Sequence, residues 1–144
     1  HQRMDTIERQ LGVYRQALEA EGKPDPKVLP LMRECFVAET GEKAIRLARP
    51  YLEAKYKSYH EWGQDKSMAK GDDNLSLPFE ELAEGRFLLG SPDQVAEQII
   101  DYRTRLGVNL IIPAFQWVGT PHSQVLEALR LFAEEVMPKV RQAT

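Results

Sequence analysis

The segment Ala114-Phe115-Gln116-Trp117-Val118-Gly119 puts two aromatic rings and a side-chain amide at the end of an apolar run. A planar cofactor needs apolar walls against its rings and one or two polar groups to fix its edge. Phe115, Gln116 and Trp117 offer both kinds of group in consecutive positions, which makes them the candidate cofactor-binding residues. The same rings could instead plug the mouth of the fold, where burying a Phe-sized side chain contributes roughly 1.5–3 kcal/mol. From the residues alone both readings stand.

Other chemistries find less support. The histidines are His1, His60 and His122. His60-Glu61-Trp62-Gly63-Gln64 opens like a zinc-protease helix but has Gln64 where the second histidine must stand, so no ligand pair faces a metal and none is expected. His122 follows the 114–119 segment, where active-site loops of parallel α/β folds gather, and reads either as a pocket residue or as a capping or surface histidine. Gly85 and Gly90 do not complete a dinucleotide fingerprint, and Gly90-Ser91-Pro92 is either an anion-facing helix start or a plain cap. A G-x-S-x-G nucleophile turn is absent. Cys35, the single cysteine, sits in an apolar run and reads as an inert core thiol. Arg33 and Glu34 interrupt that same run, so each must lie at a solvent-facing end or be paired.

These residues need elements to hold them. Ile7, Leu11, Tyr14 and Leu18 predict a helix over 5–20, stopped by Gly22 and the Pro24 to Pro26 stretch. Residues 28–38 read as a strand whose apolar half is covered on both sides. Thr40 caps the next helix, with Glu42 in its first turn and Ile45, Ala48, Leu52, Lys55, Tyr56 and Tyr59 as its inward stripe, the lysine stem snorkelling. From 62 to 84 periodicity fails, and charge, glycine and Pro78 suggest a long mobile insertion. Phe87-Leu88-Leu89 is a short extended run. Ser91, Pro92 and Gln94 then open a helix with stripe Val95, Ile99, Tyr102 and Leu106, ended by Gly107. Residues 108–115 are a strand expected to be buried on both faces. Thr120-Pro121 starts a last helix with Val125, Leu129, Phe132 and Val136 inward, and Pro138 disfavours its continuation.

The order predicts α/β crossovers and a parallel sheet. About two main βα units with a long insertion cannot close a (β/α)8 barrel, which normally needs about 250 residues. The expectation is a C-terminal fragment of a TIM barrel in which 1–144 is one part of a single domain; a small three-layer sandwich is the alternative. The chain's 144 residues are 42% hydrophobic and 28% charged, as in a soluble globular protein. A net charge of -3 without a basic stripe argues against nucleic acid or an anionic membrane as partner. Apolar runs such as 110–115 fall well short of the roughly 18–20 residues of a membrane span, and without an apolar leader the location expected is cytoplasmic.

Arg33-Glu34-Cys35-Phe36-Val37-Ala38-Glu39-Thr40 with Tyr51 and the 56–63 segment resembles the penultimate strand and following helix of the luciferase-like monooxygenases. Phe87 to Val95, Phe115-Gln116-Trp117, and Leu131-Phe132-Ala133 through Val136-Met137-Pro138 follow that family's C-terminal pattern in order, so the resemblance covers almost the whole chain. It implies a TIM barrel with a mobile insertion, here 62–84, and reduced FMN with oxygen, or a deazaflavin, acting on a small organic substrate. It places 115–117 at the end of the eighth strand near substrate and isoalloxazine, while the principal phosphate and ring contacts come from earlier strands. The cofactor could therefore be absent from this chain alone, which would then be a noncatalytic flavin-binding or assembly unit. Unpaired sheet edges and inward helix stripes predict self-association or pairing with the rest of the barrel. Sedimentation of the 144-residue chain across a concentration series should show association; a monomer at high micromolar concentration that unfolds cooperatively would favour the closed small domain.

Overall fold

The computed structural model describes residues 2–143, so His1 lies outside the described residues. Helix α1 (Met4–Ala20) leads to strand β1 (Pro30–Val37) and helix α2 (Gly41–Glu61). A 3-10 turn (Gln64–Ser67) and the short helix α3 (Phe79–Ala83) precede strand β2 (Leu88–Gly90), helix α4 (Pro92–Leu106) and strand β3 (Leu110–Ala114). Helix α5 (His122–Leu131) runs through a π-helical turn (Phe132–Val136) into α6 (Met137–Gln142).

The strands form a parallel sheet of order β2-β1-β3, with Cys35 opposite Leu88 on one side and Met32 opposite Ile112 on the other. Parallel neighbours require crossovers, and α2 with its insertion and then α4 supply them. The architecture is α/β with a small open parallel sheet, consistent with part of a TIM barrel.

Local chemistry fixes the helix ends. Thr40 accepts the Lys43 N–H at the start of α2. Ser91 and Gln94 form a complete capping box on α4, and Gly107 closes that helix at φ 75°, a left-handed conformation that costs a side-chain residue energy. The α4 stripe Val95, Ile99, Tyr102 and Leu106 is buried throughout.

Several expected burials are corrected. β3 is an edge strand and is not covered on both faces: Leu110 and Ile112 are 46% and 41% exposed. Met32, opposite Ile112, is 64% exposed, so one sheet face carries an open apolar row. On α2 the expected Ala48, Leu52 and Tyr56 are buried, but Ala44 takes the inward place and Ile45 is exposed. Tyr14 is exposed on α1, and α5 turns Val125, Ala128 and Leu131 inward, leaving Leu129 exposed. Pro138 does not end the last helix. The wider π turn just before it relieves the clash between the proline ring and the preceding carbonyl, so the helix resumes.

Residues 62–84 are more packed than failed periodicity suggested. Leu75, Phe79 and Leu82 join the core. Asp72 accepts the Arg86 guanidinium at 2.8 Å and the Arg3 backbone N–H at 3.0 Å, with the Arg86 and Asp72 side chains fully buried. Arg86 also donates to the Leu82 carbonyl, and desolvation pulls its pKa below the ordinary arginine value. Asp72→Asn would remove the carboxylate charge that faces the buried Arg86 guanidinium, which should cost about 3–5 kcal/mol. Urea denaturation checks this, and a loss below ~1 kcal/mol would mean that the pair does not hold the segment to α1 and β2.

Candidate functional site

Glu34 and Lys55 define the chemistry at the C-terminal half of β1. Strand alternation sends Arg33 and Glu34 to opposite faces. Arg33 is 4% exposed; its Nε donates to the Tyr102 hydroxyl at 2.9 Å, and its guanidinium lies 5.0 Å from that ring's centroid on α4. Glu34 is 8% exposed and uses both carboxylate oxygens. Oε1 accepts from Lys55 Nζ of α2, and Oε2 accepts from the Trp117 indole Nε1. A carboxylate inside a strand is tolerated because two donors replace the water it has lost. Behind it, Tyr56 is buried, and desolvation first, then the Glu34 charge, pushes its phenol well above the usual tyrosine value.

Trp117 is held from its own side too. Its backbone N–H donates to Thr120 Oγ1 at 3.3 Å and its carbonyl accepts the Thr120 N–H at 3.0 Å, forming a tight turn after β3. Gly119 completes that turn at φ 86°; a Cβ there would be strained and would stand 3.6 Å from the Tyr51 ring. The Trp117 ring lies 6.0 Å from Phe36, on the same face of β1 as Glu34.

Between this turn and α2 lies a cavity of about 850 Å3 lined by Tyr51, Lys55, Tyr59, Trp62, Gln116 and Trp117 among others. The helix residues recur at steps of three and four because one face of α2 supplies that wall. Lys55 Nζ lies 5.5 Å from the Tyr59 ring centroid, and Tyr59 packs on Trp62 at 5.9 Å. The volume suits a small ring system, and aromatic walls with few polar groups suit a planar one.

Of the candidate residues, Gln116 and Trp117 line this cavity and Phe115 does not. Phe115 is buried edge-on against Phe132 at 5.3 Å. His122 is exposed on α5 and stands outside the cavity. His60 contacts Asp65 across the end of α2, and this hydrogen bond is the main cause holding the Asp65 carboxyl below its ordinary 3.8. Among the described residues no group of histidine, cysteine and carboxylate side chains could hold a metal ion. Cys35 is buried and desolvation raises its thiol pKa, as an inert core residue should. Sequence reasoning missed Glu34 and Lys55 as site residues. The signal was available: a carboxylate in a buried strand demands a cation, and Lys55 is the charged member of the α2 stripe.

A second cavity, about 600 Å3, lies among α1, α3 and α4. Its Arg105 is already bound to Asp5 and Glu8, so it reads as an ion-paired seam between helices.

No family model matches the chain, and no curated protein matches it. Solved structures do share its fold. Monooxygenase RslO1 from Streptomyces bottropensis is 23% identical at a TM-score of 0.64, over 93% of this chain and 38% of that one. The oxygenating constituent of 3,6-diketocamphane monooxygenase from Pseudomonas putida, a type II Baeyer-Villiger monooxygenase in complex with FMN, is 23% identical at 0.64, over 97% and 41%. Riboflavin lyase RcaE, with modified FMN and riboflavin, is 17% identical at 0.62, over 99% and 37%. The likeness is one of fold and fits the luciferase-like resemblance in the sequence. The chain spans about two fifths of the length of these structures. No helix among the described residues is long and apolar enough to cross a membrane.

The indole donor to Glu34 is testable by stability. Trp117→Phe keeps an aromatic ring but leaves Oε2 without its donor, which should cost roughly 1–3 kcal/mol in guanidinium denaturation. An unchanged midpoint would show that Glu34 is satisfied without Trp117.

Proposed function

We propose that the chain forms the C-terminal section of a luciferase-like, flavin-dependent oxidoreductase of the monooxygenase type, with the cavity beside Trp117 near its flavin and substrate. The observation that carries this reading is the aromatic cavity at the C-terminal end of β3, in a fold shared with monooxygenases and an FMN-bound enzyme. In parallel α/β barrels the site gathers at that end of the strands. The parent would act on a small organic substrate with reduced FMN and oxygen; a deazaflavin in place of FMN is the narrower alternative.

The residues present fit part of such a cofactor. Tyr51, Tyr59, Trp62 and Trp117 can flank a ring, and Lys55 and Gln116 can meet its polar edge. Among the described residues no arginine lines the cavity, and its lysine is already bound to Glu34, so this wall suits the ring and not the phosphate. Bound reduced flavin would supply electrons for oxygen activation or hydride transfer. The chain's own part is to position the ring, hold Lys55 through Glu34 and keep water from the Trp117 side. Residues 62–84 in this reading are the mobile insertion beside the cavity, running from Trp62 on its rim to the buried Asp72–Arg86 pair. A cytoplasmic location fits the single reduced, buried cysteine, and self-association or the rest of a barrel would cover the open row of Met32, Leu110 and Ile112.

Titrating FMN into the protein containing this chain, followed by flavin fluorescence, tests the reading. Trp117→Ala in folded protein should weaken flavin or substrate binding at least about tenfold, or 1.4 kcal/mol. Unchanged binding in the folded variant rejects the placement.

A further inference from the structure

We infer that Lys55, held in place by Glu34, is the donor that fixes a neutral carbonyl oxygen of a planar ligand in the cavity between α2 and the turn after β3. This deepens the flavin-enzyme reading of the same cavity and rests on it for the planar class of occupant.

The cavity has one ammonium and no free carboxylate facing it. Lys55 is one of its wall residues, with a side chain 26% exposed. Glu34, whose side chain is 10% exposed, takes one Lys55 N–H on Oε1 and gives Oε2 to the Trp117 indole. An ammonium carries three donors, and among the described residues its hydrogen-bond partner is Glu34 Oε1. Its other neighbour is the Tyr59 ring at 5.5 Å, a wall of the same cavity, so N–H groups not turned to Glu34 face whatever enters. Glu34 lies behind the wall and each of its oxygens already takes a donor from the protein, so what Lys55 presents to the occupant is a donor, and the occupant must bring an acceptor.

Charge then separates one acceptor from another. The Lys55 and Glu34 charges cancel, so the corner offers hydrogen-bond donors without surplus positive charge. A ligand carboxylate would share one ammonium with Glu34, and like charges in a partly desolvated site oppose each other. A neutral carbonyl takes the same donors without that repulsion. Tyr51, Tyr59, Trp62 and Trp117 supply faces for a conjugated skeleton attached to it. Glu34 does not line the cavity; it is a positioning residue that holds the ammonium against the wall and sets its selectivity.

A carbonyl on a planar skeleton could come from the flavin ring or from the substrate. Binding to the protein containing this chain can be followed by tryptophan fluorescence with 2-acetylnaphthalene, 2-ethylnaphthalene, which lacks the oxygen, and 2-naphthoate. The acetyl compound should bind about tenfold or more tighter than the ethyl compound, as a charge-assisted hydrogen bond requires, and tighter than the naphthoate. Lys55→Met should collapse the acetyl-to-ethyl preference. Glu34→Gln should turn the order toward naphthoate by releasing the lysine charge. Lumiflavin, which has no phosphate, distinguishes the two sources: competition with 2-acetylnaphthalene assigns Lys55 to the flavin edge, and simultaneous binding assigns it to substrate.

Equal affinity of the acetyl and ethyl compounds for unaltered protein overturns the inference without any variant having to fold. So does a preference that survives Lys55→Met, or the absence of binding by all three compounds. FMN binding that persists while the acetyl preference is missing defeats this inference alone. Loss of FMN binding while the preference persists defeats the flavin reading alone.

Discussion

Glu34 is a charged group in the interior of a parallel sheet, and its need for partners ties together segments distant in sequence. Taking a carboxylate out of water costs several kcal/mol, recovered only when its oxygens meet well-placed donors. One donor comes from α2 through Lys55 and the other from the turn after β3 through Trp117. Satisfying Glu34 therefore fixes where α2 lies against β1 and where the chain goes when it leaves the sheet. The cavity is the space between those two segments. Trp117→Phe thus perturbs the sheet and the cavity wall through one atom pair.

Arg33 shows the same constraint with opposite sign. It points to the other face and is accommodated by a phenol and its ring, with one buried guanidinium nitrogen that has no hydrogen-bond partner among the described residues. Tyr102 passes the connection on by donating to the Gly85 carbonyl, next to Arg86 and its partner Asp72. Adjacent charges on β1 thus anchor two different regions: Glu34 the cavity, and Arg33 the junction of α4 with the end of the insertion. Neither partnership is worth much as net stability against an apolar replacement, but each specifies which element packs where.

The elements whose signals are local were legible in the sequence. The Ser91 capping box, the α4 stripe, the Thr40 cap and the apolar half of β1 all depend on residues within one or two turns of one another. What failed depends on contacts far apart in sequence. Leu110 and Ile112 read as doubly buried because an apolar run does not reveal whether a neighbouring strand or layer covers it. Asp72 looked like loop charge because its partner Arg86 lies on the far side of α3. Phe115 and Trp117 read as equivalent rings, yet both lie past the end of β3, where Phe115 packs on Phe132 and the Thr120 turn holds Trp117 beside the cavity. Ile45 fell to a subtler error: small Ala44 and Ala48 let α2 approach β2 closely, so the helix turns its alanines inward and leaves the larger side chain outside.

The open apolar row and the cavity belong to the same side of the sheet. In the register that pairs Met32 with Ile112, Glu34 pairs with Ala114, and alternation puts all four on one face. Going toward the strands' C-terminal ends, that face passes from exposed Met32, Leu110 and Ile112 to buried Glu34 and Phe36 under Trp117. An apolar floor thus leads to a polar, aromatic-walled end at the carboxyl ends of the strands, the end at which sites gather in parallel α/β folds. Helix layers on both faces of the sheet would bury that row, and in this chain Met32, Leu110 and Ile112 stay exposed.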